Sequence, residues 1–330
     1  MQKSISSLFL KNICDVPTEK EKTGRTIAMT KNEFYESVKD AVLQKVREED
    51  STLDAIVSEV VKSNGIVYHG LSFRGESNLQ PVIYLDDFFE RYSSGLNFED
   101  IVDTVAHIYM VNRKNNDIDV NMLTCFEEAK GNISAAVMNA ERNDKLLSEL
   151  PHVIIEDLAM YYKIDIMLPD GSGMGTVKIT NALMNSWGIT EDELRCIAVD
   201  NTLTSHSVVC KDLCEVVRDI MNDETALADV MNDTGMLVLT NKNKLWGAVL
   251  MLPEFKQLEK ISDAVEDNLI ILPSSKHEVI ILREELAAVN GFDFLRNMVR
   301  EVNENEVSAE DFLSDNIYIY RRESGNLEII

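Results

Sequence analysis

The sequence has 330 residues, of which 45% are hydrophobic and 27% are charged. Such a chain can bury a substantial core, which excludes a wholly disordered or fibrous protein. The 57 acidic and 32 basic residues give a net charge of −25. This charge excludes a nucleic-acid-binding protein with a generally basic surface, because phosphate contacts need clustered Lys and Arg.

The N-terminal segment differs from the rest of the chain in charge. Residues 1–30 contain five Lys/Arg and three Asp/Glu, so the remaining 300 residues carry a net charge of −27. Thr30 and Glu33 have capping-box spacing at the start of a helical apolar pattern. We therefore predict that the folded body begins near Met29. Residues 1–28 are predicted to be a flexible basic tail or a start-site extension without a secretory signal.

Residues 29–114 are predicted to form an α-β-β-β-α unit. Its first helix covers about 30–48, and its second helix follows Asn97, a favoured N-cap residue. Between the helices, Asn64-Gly65 is a strong hairpin-turn dipeptide between two Val- and Ile-rich segments. The three predicted strands cover residues 53–61, 66–73 and 81–85.

The second half of the chain has the same mixed pattern. A polar run starting at Asn112 indicates a linker, predicted at residues 115–130, before an α+β domain at residues 131–330. Strands are predicted at about 133–139, 153–167, 176–180, 236–240, 246–252, 269–273, 278–283 and 316–321. Helices are predicted at about 190–199, 208–221, 254–265, 291–301 and 308–313. Because the strands come in pairs with short links, the predicted fold class is α+β with mixed, mostly antiparallel sheets.

Apolar runs and cysteine usage indicate a cytoplasmic protein. The longest apolar run, residues 245–253, is well short of the roughly 20 residues that span a membrane. The five cysteines are an odd number and mostly lie in apolar patterns, which favours reduced thiols. Cys210 and Cys214, four residues apart on a predicted helix, are either core thiols or half of a metal site that no second pair completes.

Two motifs resemble functional sites only in their spacing. Residues 170–175 (Asp-Gly-Ser-Gly-Met-Gly) resemble a phosphate-binding glycine loop, but a strand is predicted to follow, which favours a hairpin turn. Asp119, Glu128 and Lys130 have the spacing of a metal-dependent nuclease triad. Because Glu-x-Lys recurs elsewhere in this acidic chain, coincidence is favoured.

Asp86, Asp87 and Glu90 follow the strand predicted at residues 81–85. Carboxylates at a strand end are candidate metal ligands, and they equally stabilise the start of a following helix through its free N–H groups. Phe88 and Phe89 lie between these acids and indicate a buried anchor. The pattern therefore favours capping and packing over a metal site.

The loop at residues 273–278 contains the candidate catalytic residues. Ser274, Ser275, His277 and Glu278 offer a nucleophile, a base and a carboxylate between two apolar strands. The sequence lacks the Gly-x-Ser-x-Gly turn that usually presents a serine nucleophile, so the loop is either a hydrogen-bonded β-turn or a ligand-binding or catalytic loop. The five histidines include no i,i+4 pair, so no helical zinc site is expected.

Five segments together resemble a family of unknown function found in anaerobic Gram-positive gut bacteria. They are Pro81-Val-Ile-Tyr-Leu-Asp-Asp-Phe-Phe-Glu90, Leu183-Met-Asn-Ser-Trp-Gly-Ile-Thr190, Leu237-Val-Leu-Thr-Asn-Lys242, Leu272-Pro-Ser-Ser-Lys-His-Glu-Val-Ile280 and Leu313-Ser-Asp-Asn-Ile-Tyr318. The most specific is the Leu-Pro-Ser-Ser-x-His-Glu-Val-Ile segment. The resemblance, over about residues 30–322, implies a cytoplasmic bacterial protein associated with mobile-element or accessory genes. It implies no activity and no catalytic residue.

The sequence favours a non-enzymatic interaction protein whose acidic surface recognises a protein with a basic surface. We expect no cofactor, no direct nucleic-acid contact and no membrane association. Two other hypotheses are open. One is an acidic mimic of nucleic acid that blocks a DNA-binding enzyme such as a host defence nuclease. The other is a hydrolase using the His277 loop, with His69, Asp86 or Asp87 brought near by folding, and it requires His277 within hydrogen-bond reach of a hydroxyl and a carboxylate in a pocket.

Overall fold

The structure, a computed structural model, describes residues 29–48, 51–74, 82–114, 121–167, 174–205, 207–221 and 235–330. Described residues up to Leu123 belong to one compact unit, and Thr124–Ile166 with Thr176–Ile330 form another. The tail predicted at residues 1–28 lies outside the described residues, as does the predicted linker up to residue 120. The two units are called the N-terminal and C-terminal units below.

The N-terminal unit has the α-β-β-β-α order that the sequence predicts. Its elements are α1 (Lys31–Val46), β1 (Asp54–Val61), β2 (Val67–Arg74), β3 (Ile83–Tyr84), α2 (Asp86–Ser93) and α3 (Phe98–Lys114). The three strands form an antiparallel sheet in the order β1-β2-β3. The helices pack on one face of this sheet, where Phe34 and Val38 of α1 meet Leu71 of β2 and Ile101 of α3 in one core cluster.

Local signals explain where these elements begin and turn. Thr30 and Glu33 form the predicted capping box, since each side chain pairs with the backbone N–H of the other residue. Asn64 and Gly65 have left-handed φ values of 61° and 69°, which this dipeptide adopts readily in tight turns. Asn97 Oδ1 accepts a hydrogen bond from Glu99 N–H at the start of α3.

The C-terminal unit contains two sheets and several helices. Its strands are β4 (Ile133–Asn139), β5 (His152–Ile155), β6 (Leu158–Met167), β7 (Met174–Lys178), β8 (Val208–Asp212), β9 (Met236–Asn241), β10 (Leu269–Leu272), β11 (Val279–Arg283), β12 (Tyr318–Tyr320) and β13 (Leu327–Ile329). Its helices are α4 (Asn121–Thr124, at the boundary), α5 (Phe126–Ala129), α6 (Asp144–Leu147), α7 (Asn181–Trp187), α8 (Glu191–Ser205), α9 (Leu213–Met221), α10 (Gln257–Val265), α11 (Glu284–Asn290) and α12 (Phe292–Asn305).

The larger sheet has the order β13-β12-β10-β11-β9-β8 and is antiparallel throughout. In the smaller sheet, β4 and β5 pair antiparallel on either side of β6, and β7 also pairs with β6. The α+β fold class with antiparallel sheets is thereby confirmed. In the described part of the chain, no helix is both long enough and apolar enough to cross a membrane.

Four predicted elements of the C-terminal unit are wrong. The strand predicted at 246–252 is a buried 3-10 turn, Gly247–Met251, because a short apolar run has no periodicity that separates a strand from a buried turn. The helix predicted at 208–221 begins as β8, since its Val-Val start pairs with β9. The helix predicted at 308–313 is a turn. The strand predicted at 153–167 is a hairpin that reverses at Glu156, whose φ is 55°.

Candidate functional site

The loop between β10 and β11 contains the candidate catalytic residues, and all of them are buried. Ser274, Ser275, Lys276, His277 and Glu278 are each between 2% and 7% exposed. Loops normally run over the protein surface because buried polar groups need partners. The hydrogen-bond partners of this loop therefore decide what its side chains can do.

Both ring nitrogens of His277 are engaged. Trp246 N–H donates to Nδ1 at 3.2 Å, and Nε2 lies 3.1 Å from Asp311 Oδ1. Because Nδ1 is an acceptor, the proton of the neutral ring is on Nε2 and points to Asp311. The backbone is held as well, since Thr240 Oγ1 donates to His277 O at 2.8 Å. The imidazole therefore has no nitrogen left to accept a proton from a serine.

Asp311 is the carboxylate that meets this loop. Its Oδ1 also lies 2.8 Å from Lys276 Nζ, and its Oδ2 accepts from Ser308 Oγ at 2.8 Å. Burial alone would raise the pKa of Asp311, but His277 and Lys276 outweigh it and hold that pKa well below its usual range. Asp311 is thus a carboxylate at neutral pH, with its charge shared between two neighbours on the loop.

The serines make structural contacts. Ser275 Oγ accepts from His277 N–H at 3.1 Å, and the Ser275 backbone bridges to Phe312. Ser274 O accepts from Leu313 N–H at 3.1 Å. The cavity beside Ser274 and Glu278 has a volume of about 30 Å³ and is otherwise lined by apolar side chains of β10, β11 and α12. That volume is enough for one water molecule and not for a substrate.

Trp246 connects this loop to a second buried ionic group on the smaller sheet. The ammonium of Lys163 lies 4.4 Å from the centroid of the Trp246 ring and contacts the Asp165 carboxylate. Ser134 Oγ also donates to Asp165. Burial lowers the pKa of Lys163, which is 2% exposed, and Asp165 acts in the opposite direction. Trp246 itself has a left-handed φ of 54°, which a bulky residue keeps only where its surroundings hold it.

Sequence reasoning missed Asp311, Trp246 and the Lys163–Asp165 pair. Asp311 is 34 residues beyond His277, so its proximity depends on tertiary structure. Two signals are present in the sequence. Ser308-Ala-Glu-Asp311 has the spacing of a side-chain-capped turn, and Lys163 and Asp165 interrupt an otherwise apolar strand.

The N-terminal unit contains a separate polar cluster around Asp86. Its carboxylate accepts from His69 N–H at 2.6 Å and Tyr35 OH at 2.8 Å, and it lies 3.1 Å from Lys31 Nζ. His69 Nδ1 is 3.2 Å from the same carboxylate, and its ring stacks on Tyr35 with 4.5 Å between centroids. Burial opposes ionisation of Asp86, but these donors lower its pKa to about 2.

The three acids considered as candidate metal ligands, Asp86, Asp87 and Glu90, are not brought together. Asp86 is occupied by the donors just described, whereas Asp87 and Glu90 are exposed on α2. Asp86 and Asp87 lie in the first turn of α2, where a negative charge is favoured by the helix dipole. Across the ranges that the structure describes, no group of three or more His, Cys, Asp or Glu side chains could hold a metal ion.

The other motifs do not assemble into sites in the described residues. Glu128 is exposed and Lys130 pairs with Glu127, while Asp119 and residues 170–173 lie outside the described ranges. Cys210 lies on β8 and is exposed, whereas Cys214 is buried in α9. The expectation that both thiols share one helix is therefore wrong, because residues 208–212 form a strand.

The comparisons with known proteins identify a family and no activity. A protein-family model described as a family of unknown function (DUF5688) matches residues 31–322. This match confirms the resemblance to a family of unknown function seen in the five sequence segments. Neither a curated protein nor a solved structure matches the chain.

Proposed function

The chain belongs to the family of unknown function DUF5688, and we propose that it is a non-enzymatic cytoplasmic interaction protein whose acidic surface binds a basic protein. The proposal rests on how the charges of the described residues are paired. With a net charge of −25, the chain has far more carboxylates than cations to balance them. Several of the surface cations in the described residues also contact a nearby acid.

The ion pairs on the helices illustrate this. Lys39 of α1 contacts both Glu36 and Asp40, and Lys45 contacts Asp103 of α3. Further pairs are Lys31–Asp86, Lys130–Glu127, Arg195–Asp192, Lys211–Asp219, Arg296–Asp293, Arg321–Glu284 and Arg322–Asp263. Such pairs contribute little to stability when exposed, but they neutralise the cations locally. The excess carboxylates are then the charges that act on other molecules.

This excess charge gives the surface a long-range preference for cations. A field of one sign raises the association rate of an oppositely charged partner, and the effect weakens as salt screens it. The Debye length falls from about 10 Å at 0.1 M salt to about 3 Å at 1 M. Binding that depends on this surface should therefore weaken strongly over that range.

Neither alternative hypothesis has an observation that favours it. A hydrolase would need His277 to activate a hydroxyl in a pocket, but Trp246 and Asp311 occupy both ring nitrogens. A nucleic-acid mimic would need acids along a contiguous ridge; exposed acids lie on α1, α2 and α3 of the N-terminal unit and on α8 and α12 of the C-terminal unit. We therefore propose recognition of a basic protein.

The test is affinity capture with the full chain from the cells that express it, at about 0.1 M and about 1 M salt. Two matched variants each remove two exposed charges: Asp87→Asn with Glu90→Gln on α2, and Glu301→Gln with Glu304→Gln on α12. We expect captured proteins to be basic and to be lost at high salt, and we expect one variant to lose more than the other. Capture that is indifferent to salt and to both variants would overturn the proposal.

A further inference from the structure

The three-stranded sheet of the N-terminal unit has an open edge. The strand order is β1-β2-β3, so β1 pairs with β2 on one side and with no described strand on the other. β1 is eight residues long, and a long unpaired edge strand is a template for pairing with another chain. The charges on β1 are confined to Asp54 and Glu59.

The hydrogen bonds show which backbone groups face outward. Lys62 N–H donates to Ile66 O at 2.7 Å, which makes Lys62 and Ile66 a hydrogen-bonded pair. Because such pairs alternate along an antiparallel ladder, the even-numbered residues from 54 to 62 bond to β2. The N–H and C=O groups of residues 55, 57, 59 and 61 therefore face outward. Ala55 N–H agrees with this, since it donates to the side chain of Asp54 instead of to β2.

Exposed apolar side chains are concentrated on this sheet. Of the ten large hydrophobic side chains that are exposed in the described residues, four are Ile56, Val61, Val67 and Val82. Ile56 and Val82 lie on the face opposite the helices, where Val82 and Val60 close over Gly70 so tightly that a Cβ there would lie 2.3 Å from Val82. Val61 and Val67 lie directly opposite each other on the other face, so exposed apolar side chains are present on both faces of this sheet.

We propose that β1 pairs antiparallel with β1 of a second copy of this chain, about a two-fold axis at Ser58. This register sets Val57 against Glu59 and Ala55 against Val61 as hydrogen-bonded pairs, so the outward backbone groups meet one another. On the open face it sets Ile56 against Val60. It also sets Asp54 against Lys62 of the second copy, twice by symmetry.

Neighbouring registers are excluded by the same contacts. A two-fold axis midway between two residues of β1 would place odd-numbered residues opposite even-numbered ones. The outward N–H and C=O groups would then face residues whose own N–H and C=O groups already bond to β2. An axis at Glu59 would place that carboxylate opposite its own copy, which is destabilising. An axis at Val57 would place Asp54 opposite Val60, so that no acidic residue would lie opposite Lys62. The charge pattern of β1 therefore selects the axis at Ser58.

The first test measures dimerisation of the full chain by sedimentation velocity over a concentration series in about 0.15 M salt, where the Debye length is about 8 Å. We expect a reversible dimer. Asp54→Lys or Lys62→Asp alone turns two opposite-charge pairs into two like-charge pairs and should weaken dimerisation about tenfold. The double variant should restore it. A wild-type chain that is monomeric throughout, or a double variant no better than the singles, overturns the proposal.

The second test uses the position of Ser58 on the proposed two-fold axis, which places the two copies of this residue directly opposite each other. Directly opposed residues that are not hydrogen-bonded lie about 4.5 Å apart between Cα atoms, within disulfide range. The variant Ser58→Cys should therefore form a disulfide between the two copies of position 58 on oxidation, identified by peptide mapping because Cys125, Cys196 and Cys210 are also exposed. Ser72→Cys on β2 is the matched control. Cross-linking through position 72 as readily as through position 58, or none through position 58, contradicts the pairing.

Discussion

Replacement of Asp311 by Asn tests whether the contacts of Asp311 with the buried loop stabilise the C-terminal unit. Asp311 links the turn at residues 308–313 to Lys276 and His277, and its side chain is 15% exposed. Asn keeps the shape and one acceptor oxygen but removes the charge that compensates the Lys276 ammonium. Loss of one partner from a buried ion pair costs about 3–5 kcal/mol. Because Asn retains an acceptor and the side chain at position 311 is partly exposed to solvent, we expect the free energy of unfolding to fall by about 2–3 kcal/mol.

The pH dependence of this loss has a defined sign. The folded-state pKa of Asp311 lies below its unfolded value of about 3.9. A depressed carboxyl pKa contributes stability that is present above the unfolded pKa and is lost as the pH falls through the folded one. The difference in the free energy of unfolding between wild type and Asp311→Asn should therefore be constant from neutral pH to about pH 5 and shrink below about pH 4.

Tryptophan fluorescence during urea unfolding measures this difference in one unit alone. The sequence has two tryptophans, and Trp187 and Trp246 both belong to the C-terminal unit. Asp293→Asn is the matched control, because Asp293 is 93% exposed in its pair with Arg296 and should cost less than about 1 kcal/mol. A stabilising role of Asp311 is ruled out if both variants lose equally little free energy of unfolding. It is also ruled out if the difference between wild type and Asp311→Asn is unchanged at about pH 3.

Three further outcomes follow from single contacts. Gly247→Ala would place a Cβ 2.6 Å from His277 O and should lower the melting temperature by several degrees. Gly131→Ala is the control, because its Cβ meets nothing within 4 Å. Equal melting temperatures for the two variants would contradict the close packing of Gly247 against His277. Asp86→Asn should destabilise the N-terminal unit at neutral pH, and amide hydrogen exchange in β2 measures this loss of stability. The loss should become smaller as the pH falls from about 4 towards the folded pKa of about 2. A loss of stability that is unchanged at pH 2 contradicts this prediction. The Lys163 ammonium should titrate below 10.5 by NMR, and a midpoint at or above that value would show that burial does not dominate its environment.

Much of the fold could be predicted because its signals are local. The Thr30–Glu33 capping box, the Asn64-Gly65 turn and the apolar period of the helices are set by neighbouring residues in the chain, and the N-terminal unit follows them. Pairs of apolar segments with short links indicate antiparallel sheets for the same reason. These features need no knowledge of which segments meet in space.

The rest depends on tertiary contacts. Residues 246–252 are apolar enough for a strand, yet Gly247 lies too close to Thr240 and the His277 carbonyl for a side chain, and the segment turns. The loop at Ser274 is polar and lies between two strands, as the sequence predicts. Its partner Asp311 comes from a segment predicted as a helix, so the contact that occupies His277 could not be seen from spacing.

Whether the excess acidic charge binds a basic protein is decided by the salt dependence of one affinity. The dissociation constant of the full chain for its captured partner should be measured between about 0.1 M and about 1 M salt. We expect the affinity to fall steadily with salt and to fall further in whichever neutralised variant, on α2 or on α12, removes contacting carboxylates. An affinity independent of salt, or an acidic partner, would contradict the proposed recognition of a basic protein.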